Sequence, residues 1–401
     1  MKEICFVAEY MYCGGTEKSL LALLGMMDRK KYKITLLLLK KKGELLNQLP
    51  TDIEVCEIPL PEDEEDGLLI GRGAALKEAV KKGKLTLAMH KAIRGVKMMS
   101  GGKGDNERRL WYYENIAHKI KDYPKKFDVV IDYMGYGLFN TFYAARKISG
   151  NIKISWVHFE PAHAMPDFAV FRNLLSEYDY IMCVSQNSKR QMEKMIPELS
   201  DRYKVFYNIV NVKDIQLKAI EEKIPKNPGE ISIVSVGRLT FEKGFDLGIE
   251  VIKRLIEDGY PVKWYLIGEG GQRKELEELI RKSGAAKEHI ELLGRKLNPY
   301  PYISMCDIYF QPSRHEGYGI AVAEARTLWK PIVVTDFAGA REQLIDGETG
   351  IISKCEVEAL YYSLRKLLDN QELMKYLSQN LKRQMKENSQ IKELEYILDQ
   401  S

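Results

Sequence analysis

Glu316 and Glu324 stand eight residues apart in FQPSRHEGYGIAVAEARTLW, residues 310–329, with Gly317, Tyr318, Gly319 and Ile320 between them. If the intervening residues are helical, the two carboxylates lie roughly 12 Å apart along the axis, about the span from the sugar ring to the ribose of a nucleotide-sugar. The turn after the hydrophobic run places Gly317 to Ile320 at a helix start, where free backbone N–H groups and the helix dipole favour a bound phosphate. One segment can then touch three parts of one ligand. The plainer reading is an ordinary strand-to-helix connection, for which Gly-x-Gly turns also serve, and this stretch alone leaves both open.

Other residues carry related chemistry. In VGRLTFEKG, Gly237 ends an apolar run, and Arg238 and Lys243 follow in the next loop. Two converging cations suit a compact diphosphate through charge-assisted hydrogen bonds, and they would stabilise the charge that grows on a leaving diphosphate. A pair of solvated surface cations is the alternative. Gly14 and Gly15, in MYCGGTEKS, lie between a strand and its helix. There a glycine loop lets backbone approach a ligand at the carboxyl edge of a sheet, or simply makes a tight turn. The spacing is not GxGxxG, so a dinucleotide fingerprint is absent. His158 falls near the end of the strand-like run 153–159, where a parallel strand meets a ligand crevice; a merely hydrogen-bonded histidine also occupies such places.

These groups must be positioned by alternating strands and helices. Apolar runs at 4–9, 32–39 and 53–60, the first two flanking a helix-spaced segment at 17–29, predict a parallel α/β unit. After an interruption at 61–110 the alternation resumes through 127–133, 153–159, 180–185 and 204–210. KIPKNPG, residues 223–229, reads as a boundary. A second unit starts at 231–236 and runs through the strands 264–267, 290–293, 307–311 and 331–335. From 356 on the pattern is helical, and the last helix, 388–399, is placed to cross back to the first unit. The fold class is α/β, in two domains, 1–222 and 223–385, with about 386–401 joining the first. A chain of 401 residues fits that division.

Composition narrows the function classes. With 45% hydrophobic and 29% charged residues the chain reads as globular, and its formal charge of +4 is too small to argue for nucleic acid. Six scattered cysteines without CxxC or metal-ligand spacing read as reduced thiols of a cytoplasmic protein. No signal peptide and no membrane-spanning run is expected. Residues 76–110 hold ten Lys or Arg against three acids. They are expected to form a partly amphipathic helical stretch, either a solvated excursion or a peripheral contact with anionic lipid on the inner membrane face through Met89, Ile93, Val96 and Met99. The acidic run 62–66 reads as a loop, and SGGKGDNERR as a flexible turn before a helix at 111–123.

Taken together, E-x7-E (Glu316, Glu324), VGRLTFEKG, the Gly14–Gly15 loop, WVHFE with His158, SRHEGYGIAVAEA, LWKPIVVTD and FAGAREQLIDGETG resemble, in order, the retaining nucleotide-sugar glycosyltransferases of family 4. The resemblance is dense over 231–352 and sparse before it. It implies the GT-B fold, two Rossmann-like domains facing across a cleft. It also implies transfer of a sugar from a nucleotide-sugar, a UDP-sugar by preference over GDP- or ADP-sugars, to a glycan or lipid-linked acceptor in cell-surface polysaccharide synthesis. By the same resemblance Glu324 bonds the ribose, Arg238 and Lys243 hold the diphosphate, and Glu316 bonds sugar hydroxyls beside the amides of Gly317 to Ile320. Gly15 approaches the phosphates, His158 meets the sugar from the other side, and backbone near Arg295 and Leu297 reads the base. No cofactor or metal is implied, and the sequence holds no evident DxD triplet in a setting that would fix one. Retention is compatible with front-face departure or with a carboxylate nucleophile. Where the family often has Asn-Gly before the linker, this chain has Asn208 and Ile209. Two other classes remain open: a sugar-nucleotide epimerase, which would want catalytic acids clustered in the first domain, and a non-catalytic binder, which would tolerate loss of Arg238, Lys243, Glu316 or Glu324.

Overall fold

The computed structural model describes residues 1–69, 72–82, 84–86, 88–89, 92–93, 104–135, 137–384 and 390–400. Two parallel sheets organise it, so the expected α/β architecture of two Rossmann-like units is present. The first contains β1 (Lys2–Ala8), β2 (Tyr32–Leu38), β3 (Glu54–Glu57), β4 (Phe127–Asp132), β5 (Gly150–Val157), β6 (Tyr180–Cys183) and β7 (Tyr203–Val205), in the order β3-β2-β1-β4-β5-β6-β7. The second contains β8 (Ile231–Val236), β9 (Val262–Ile267), β10 (Ile290–Leu292), β11 (Ile308–Gln311), β12 (Ile332–Thr335) and β13 (Ile351–Ser353), in the order β10-β9-β8-β11-β12-β13.

Both orders reverse direction once. The chain runs outward from β1 to β3 and returns to the other side of β1 with β4; it runs outward from β8 to β10 and returns beside β8 with β11. Ligands of open α/β sheets collect at such reversals, at the carboxyl ends of the strands. Glu9 and the Gly14–Gly15 loop follow β1, Arg238 follows β8, and Glu316 follows β11. The candidate residues therefore leave three of the four strands that define the two reversals.

The strands are buried on both faces, as parallel strands covered by helices must be. Alternation along β1 sends Cys5 and Val7 into one core and Ile4, Phe6 and Ala8 into the other. The Gln390–Asp399 helix packs Leu394, Ile397 and Leu398 into the second of these cores, and Tyr32 Oη donates to Asp399 Oδ1 at 3.0 Å. The end of the chain thus lies on the first sheet.

Several local expectations are corrected. The acidic run is no loop: Glu62–Leu69 is a helix that starts just after Pro61. Acidic side chains in a first turn complement the helix dipole, and Glu64 is buried, accepting from Tyr112 Oη at 3.0 Å and Lys119 Nζ at 3.0 Å. The helix expected from 111 begins at Asp105, with Gly104 before it and Asp105 and Glu107 in its first turn. Helix Val212–Lys218, capped by Asn211, and strand β13 went unread. Within the basic stretch, Val96 and Met99 lie outside the described residues.

Candidate active site

The loops after β8 and β11 are packed backbone to backbone. Gly244 has φ of 63°, and a Cβ there would fall 2.0 Å from Pro312 O, so only glycine lets the two loops meet. That contact brings Lys243, at the end of a single 3-10 turn, to Glu316: Nζ lies 2.5 Å from Oε1, with the side chains 17% and 12% exposed. Ser313 Oγ donates to the same oxygen at 3.0 Å. Arg314 forks onto Asp246 at 2.7 and 2.6 Å, fixing the segment that carries Glu316. Arg238 is exposed and has no ion pair among the described residues.

The helix of the opening motif is Ile320–Thr327, and its start corrects the spacing argument. Gly319 precedes it at φ of 86°, so Gly317 and Tyr318 lie outside the helix and the path from Glu316 to Glu324 is not helical throughout. Glu324 is 3% exposed and accepts from Tyr300 Oη at 2.8 Å and from Lys18 Nζ at 3.3 Å. Lys18 comes from the first domain and was not foreseen, although it lies one turn into the helix that follows Gly14–Gly15. The Tyr318 ring stacks on Tyr207 of the first domain at 5.7 Å and is buried there, so its side chain joins the domains.

Facing glycines close the cleft. A Cβ on Gly15 would meet Ile320 Cδ1 at 3.3 Å, and one on Gly317 would fall 2.4 Å from His158 O. Gly14 caps the Gly15–Met26 helix, and Glu17 folds back over it, its Oε2 being 2.3 Å from where a Gly14 Cβ would stand. Burial raises the Glu17 carboxyl above its ordinary range, and Arg238 across the cleft pulls it back down. Arg295 reaches Glu44 of the first domain, Nη1 to Oε1 at 2.6 Å, while Glu44 Oε2 accepts from Cys13 N at 3.1 Å; Leu297 is exposed. The Arg295 side chain therefore straps the domains together. On the opposite rim, His163 and His315 stack with centroids 3.4 Å apart, and Glu342 accepts from Gln186 N at 2.9 Å at the start of the Gln186–Met195 helix. None of these cross-domain partners has a local sequence signal, because each pair is more than a hundred residues apart.

His158 sits just past β5 and is 8% exposed. Its Nε2 is 2.7 Å from Tyr133 O; the buried Nδ1 makes no hydrogen bond of ordinary geometry among the described residues, and the Asn208 side chain lies close enough to act on the ring. Burial pushes the imidazole down to about 4. At neutral pH the ring is therefore uncharged, donates from Nε2 and presents a lone pair at Nδ1. Because the folded ring binds a proton only near pH 4 and the unfolded one near 6.5, its contribution to stability is intact above 6.5 and lost as pH falls through that window, by ~3 kcal/mol. Asp132, raised to about 6 by burial, acts in the opposite direction. Urea unfolding of the wild type and His158→Gln, compared between pH 7.5 and 4.5, is expected to isolate this slope: the wild type loses stability relative to the variant on acidification, and parallel curves would refute the assignment.

The site thus sets two cations, Arg238 and Lys243, and two carboxylates, Glu316 and Glu324, on one wall, opposite the Gly14–Gly15 loop and a neutral histidine on the other. Such an arrangement can hold a diphosphate between hydroxylated rings. Among the described residues, no group of three or more His, Cys, Asp or Glu stands close enough to hold a metal ion.

Residues 217–384 match the family described as glycosyl transferases group 1. The matched segment holds Arg238, Lys243, Glu316 and Glu324. An uncharacterized glycosyltransferase of Methanocaldococcus jannaschii is 31% identical over 52% of this chain and 55% of that protein. The N-acetylgalactosamine-N,N'-diacetylbacillosaminyl-diphospho-undecaprenol 4-alpha-N-acetylgalactosaminyltransferase of Campylobacter jejuni is 30% identical over 51% of this chain and 56% of that protein. The chain spans about half the length of these relatives. The crystal structure of Anabaena HepE in complex with UDP and glucose superposes over 100% of both chains with a TM-score of 0.70 at 16% identity, a likeness of fold. The fold is GT-B, and the matched residues 217–384 comprise its second sheet with the surrounding helices.

Proposed function

We propose that this protein is a retaining glycosyltransferase that moves a sugar from a UDP-sugar to a glycan or lipid-linked acceptor in the synthesis of a surface polysaccharide or glycoconjugate. The observation that carries this reading is the wall formed by Lys243, Arg238, Glu316 and Glu324 within the group 1 domain, closed by Gly15 and the backbone of His158. Residues 1–222, with the last helix, form the acceptor side, and 223–385 the donor side. Arg238 and Lys243 take the diphosphate and its leaving charge, supplying without a metal the positive potential that the reaction needs. Glu324 takes the ribose and Glu316 the sugar. The amides from Gly317 to Ile320 lie beside the phosphates, and backbone near Arg295 and Leu297 meets the base. The UDP preference is supported by the HepE complex, and the lipid-linked acceptor by the name of the Campylobacter relative.

No helix among the described residues is long and apolar enough to cross a membrane. Leu85, Met89 and Ile93 are exposed four residues apart beside Lys81, Lys82 and Lys84, which fits peripheral contact with anionic lipid at the cytoplasmic face. Sedimentation with anionic vesicles that does not weaken with added salt would remove that contact.

A thermal-shift series with UDP, GDP and ADP tests the donor. UDP is expected to raise the unfolding midpoint by several degrees, because a ligand that binds only the folded state stabilises it by about 2.7 kcal/mol at a hundredfold excess over Kd. A larger shift with GDP or ADP would reassign the donor, and no shift with any would overturn the reading.

A further inference from the structure

The two helices that start at the glycine loops of the cleft, Gly15–Met26 and Ile320–Thr327, touch at their first residues, where a Cβ on Gly15 would meet Ile320 Cδ1 at 3.3 Å. Three and four residues further on, one turn along the same faces, Lys18 and Glu324 form the next pair, Nζ to Oε1 at 3.3 Å. Lys18 N donates to Gly14 O at 3.0 Å, which ties the lysine to the glycine loop. Tyr300, at the start of the Tyr300–Met305 helix, donates to the same Glu324 oxygen at 2.8 Å, and Lys18 Nζ stands 5.2 Å from the centre of its ring. The Glu324 side chain is 3% exposed and that of Lys18 17%.

Both donors bond Oε1. Oε2 accepts no hydrogen bond among the described residues and is not sealed from solvent, so one oxygen of this buried carboxylate is held and the other is open. Domain packing alone does not require that arrangement. Glu44 and Glu342, which also bridge the domains, use both oxygens: Glu44 takes Arg295 Nη1 and Cys13 N, and Glu342 takes Gln186 N and Asn187 N. A carboxylate pinned at one oxygen keeps a fixed direction for a hydroxyl arriving at the second. Its counter-charge matters because a carboxylate this deeply buried is costly once its cation is removed.

We infer that Lys18 is a positioning residue for ribose recognition: with Tyr300 it fixes Oε1 of Glu324 and leaves Oε2 to accept from a ribose hydroxyl of the nucleotide. The inference rests on the transferase reading, in which Glu324 takes the ribose, and adds a condition to it. Tyr300 belongs to the donor domain, whereas Lys18 arrives from the first domain. The clamp on Glu324 is complete only when the domains meet, so discrimination for ribose belongs to the closed protein and not to the donor domain alone.

The test uses the full chain and measures the dissociation constants of UDP and 2′-deoxy-UDP by calorimetry. The wild type is expected to bind UDP ~10-fold more tightly, the effect of one hydrogen bond to a charged acceptor. Lys18→Met is expected to weaken UDP binding by ~5-fold while leaving 2′-deoxy-UDP nearly unchanged, so that the ratio falls to ~2. Tyr300→Phe lowers the ratio in the same direction, and Lys18→Arg, which keeps the charge, retains more of it than Lys18→Met. Lys18→Gln replaces the methionine variant if that one does not fold. Equal weakening of both nucleotides would make Lys18 a packing residue and overturn the inference, as would an unchanged ratio or tighter UDP binding in Lys18→Met. A wild type that binds the two nucleotides equally overturns the ribose role of Glu324, and one that binds neither overturns the UDP-sugar reading itself.

Discussion

Lys243→Ala and Glu316→Ala are each expected to cut transfer from a UDP-sugar by ~10²–10³-fold, the scale set by removing one preorganised group from a charge-stabilising site. The two side chains are each other's partner at 2.5 Å, and Glu316 also accepts from Ser313 Oγ. A donor must therefore exchange this pair for its own groups, diphosphate against Lys243 and sugar hydroxyls against Glu316. The exchange keeps both charges compensated, which makes it inexpensive in a half-buried site. Lys243→Arg is expected to rescue little, because a planar fork does not replace an ammonium that sits between a carboxylate and a diphosphate. Neither residue lies in a core, so circular dichroism and the unfolding midpoint should change by no more than a few degrees. Undiminished turnover in either alanine variant would refute the assignment of both.

Gly317→Ala is the second large effect. The added Cβ would stand 2.4 Å from His158 O and 3.0 Å from its carbonyl carbon, whereas ordinary contact begins near 3.4 Å. The facing domains would separate by on the order of 1 Å, and a displacement of that size across a reacting centre costs ~10²-fold in rate. The strain falls on the interface between two independently built sheets, so kcat is expected to fall with little loss of stability. Gly271→Ala is the control, since a Cβ there meets nothing within 4 Å. A Gly317→Ala protein with wild-type kcat would mean that the closed arrangement is not the reactive one.

The elements that carry the site were legible because parallel strands buried on both faces must be nearly continuous apolar runs, and β1, β4, β8 and β11 are. Legibility failed where a polar segment was equated with a loop. Glu62–Leu69 is as charged as a linker, yet Pro61 and an acidic first turn start a helix there, and Glu64 goes inside because Tyr112 and Lys119, some fifty residues on, satisfy it. The role expected of Arg295 and Tyr318 is a backbone one. Their side chains reach Glu44 and Tyr207 across the cleft, contacts that no spacing within either segment encodes.

By itself the sequence determined two α/β units, the loops from which chemistry would come, and the residue types able to hold a diphosphate between hydroxylated rings. These follow from side-chain period, glycine placement and charge, which are properties of neighbours in the chain. Only the tertiary structure decided that Lys243 pairs with Glu316, that Lys18 reaches Glu324 from the other domain, and that His158 is buried and neutral. Each of these depends on how two sheets face one another, and on how far burial shifts a titrating group, neither of which is set by neighbours along the chain.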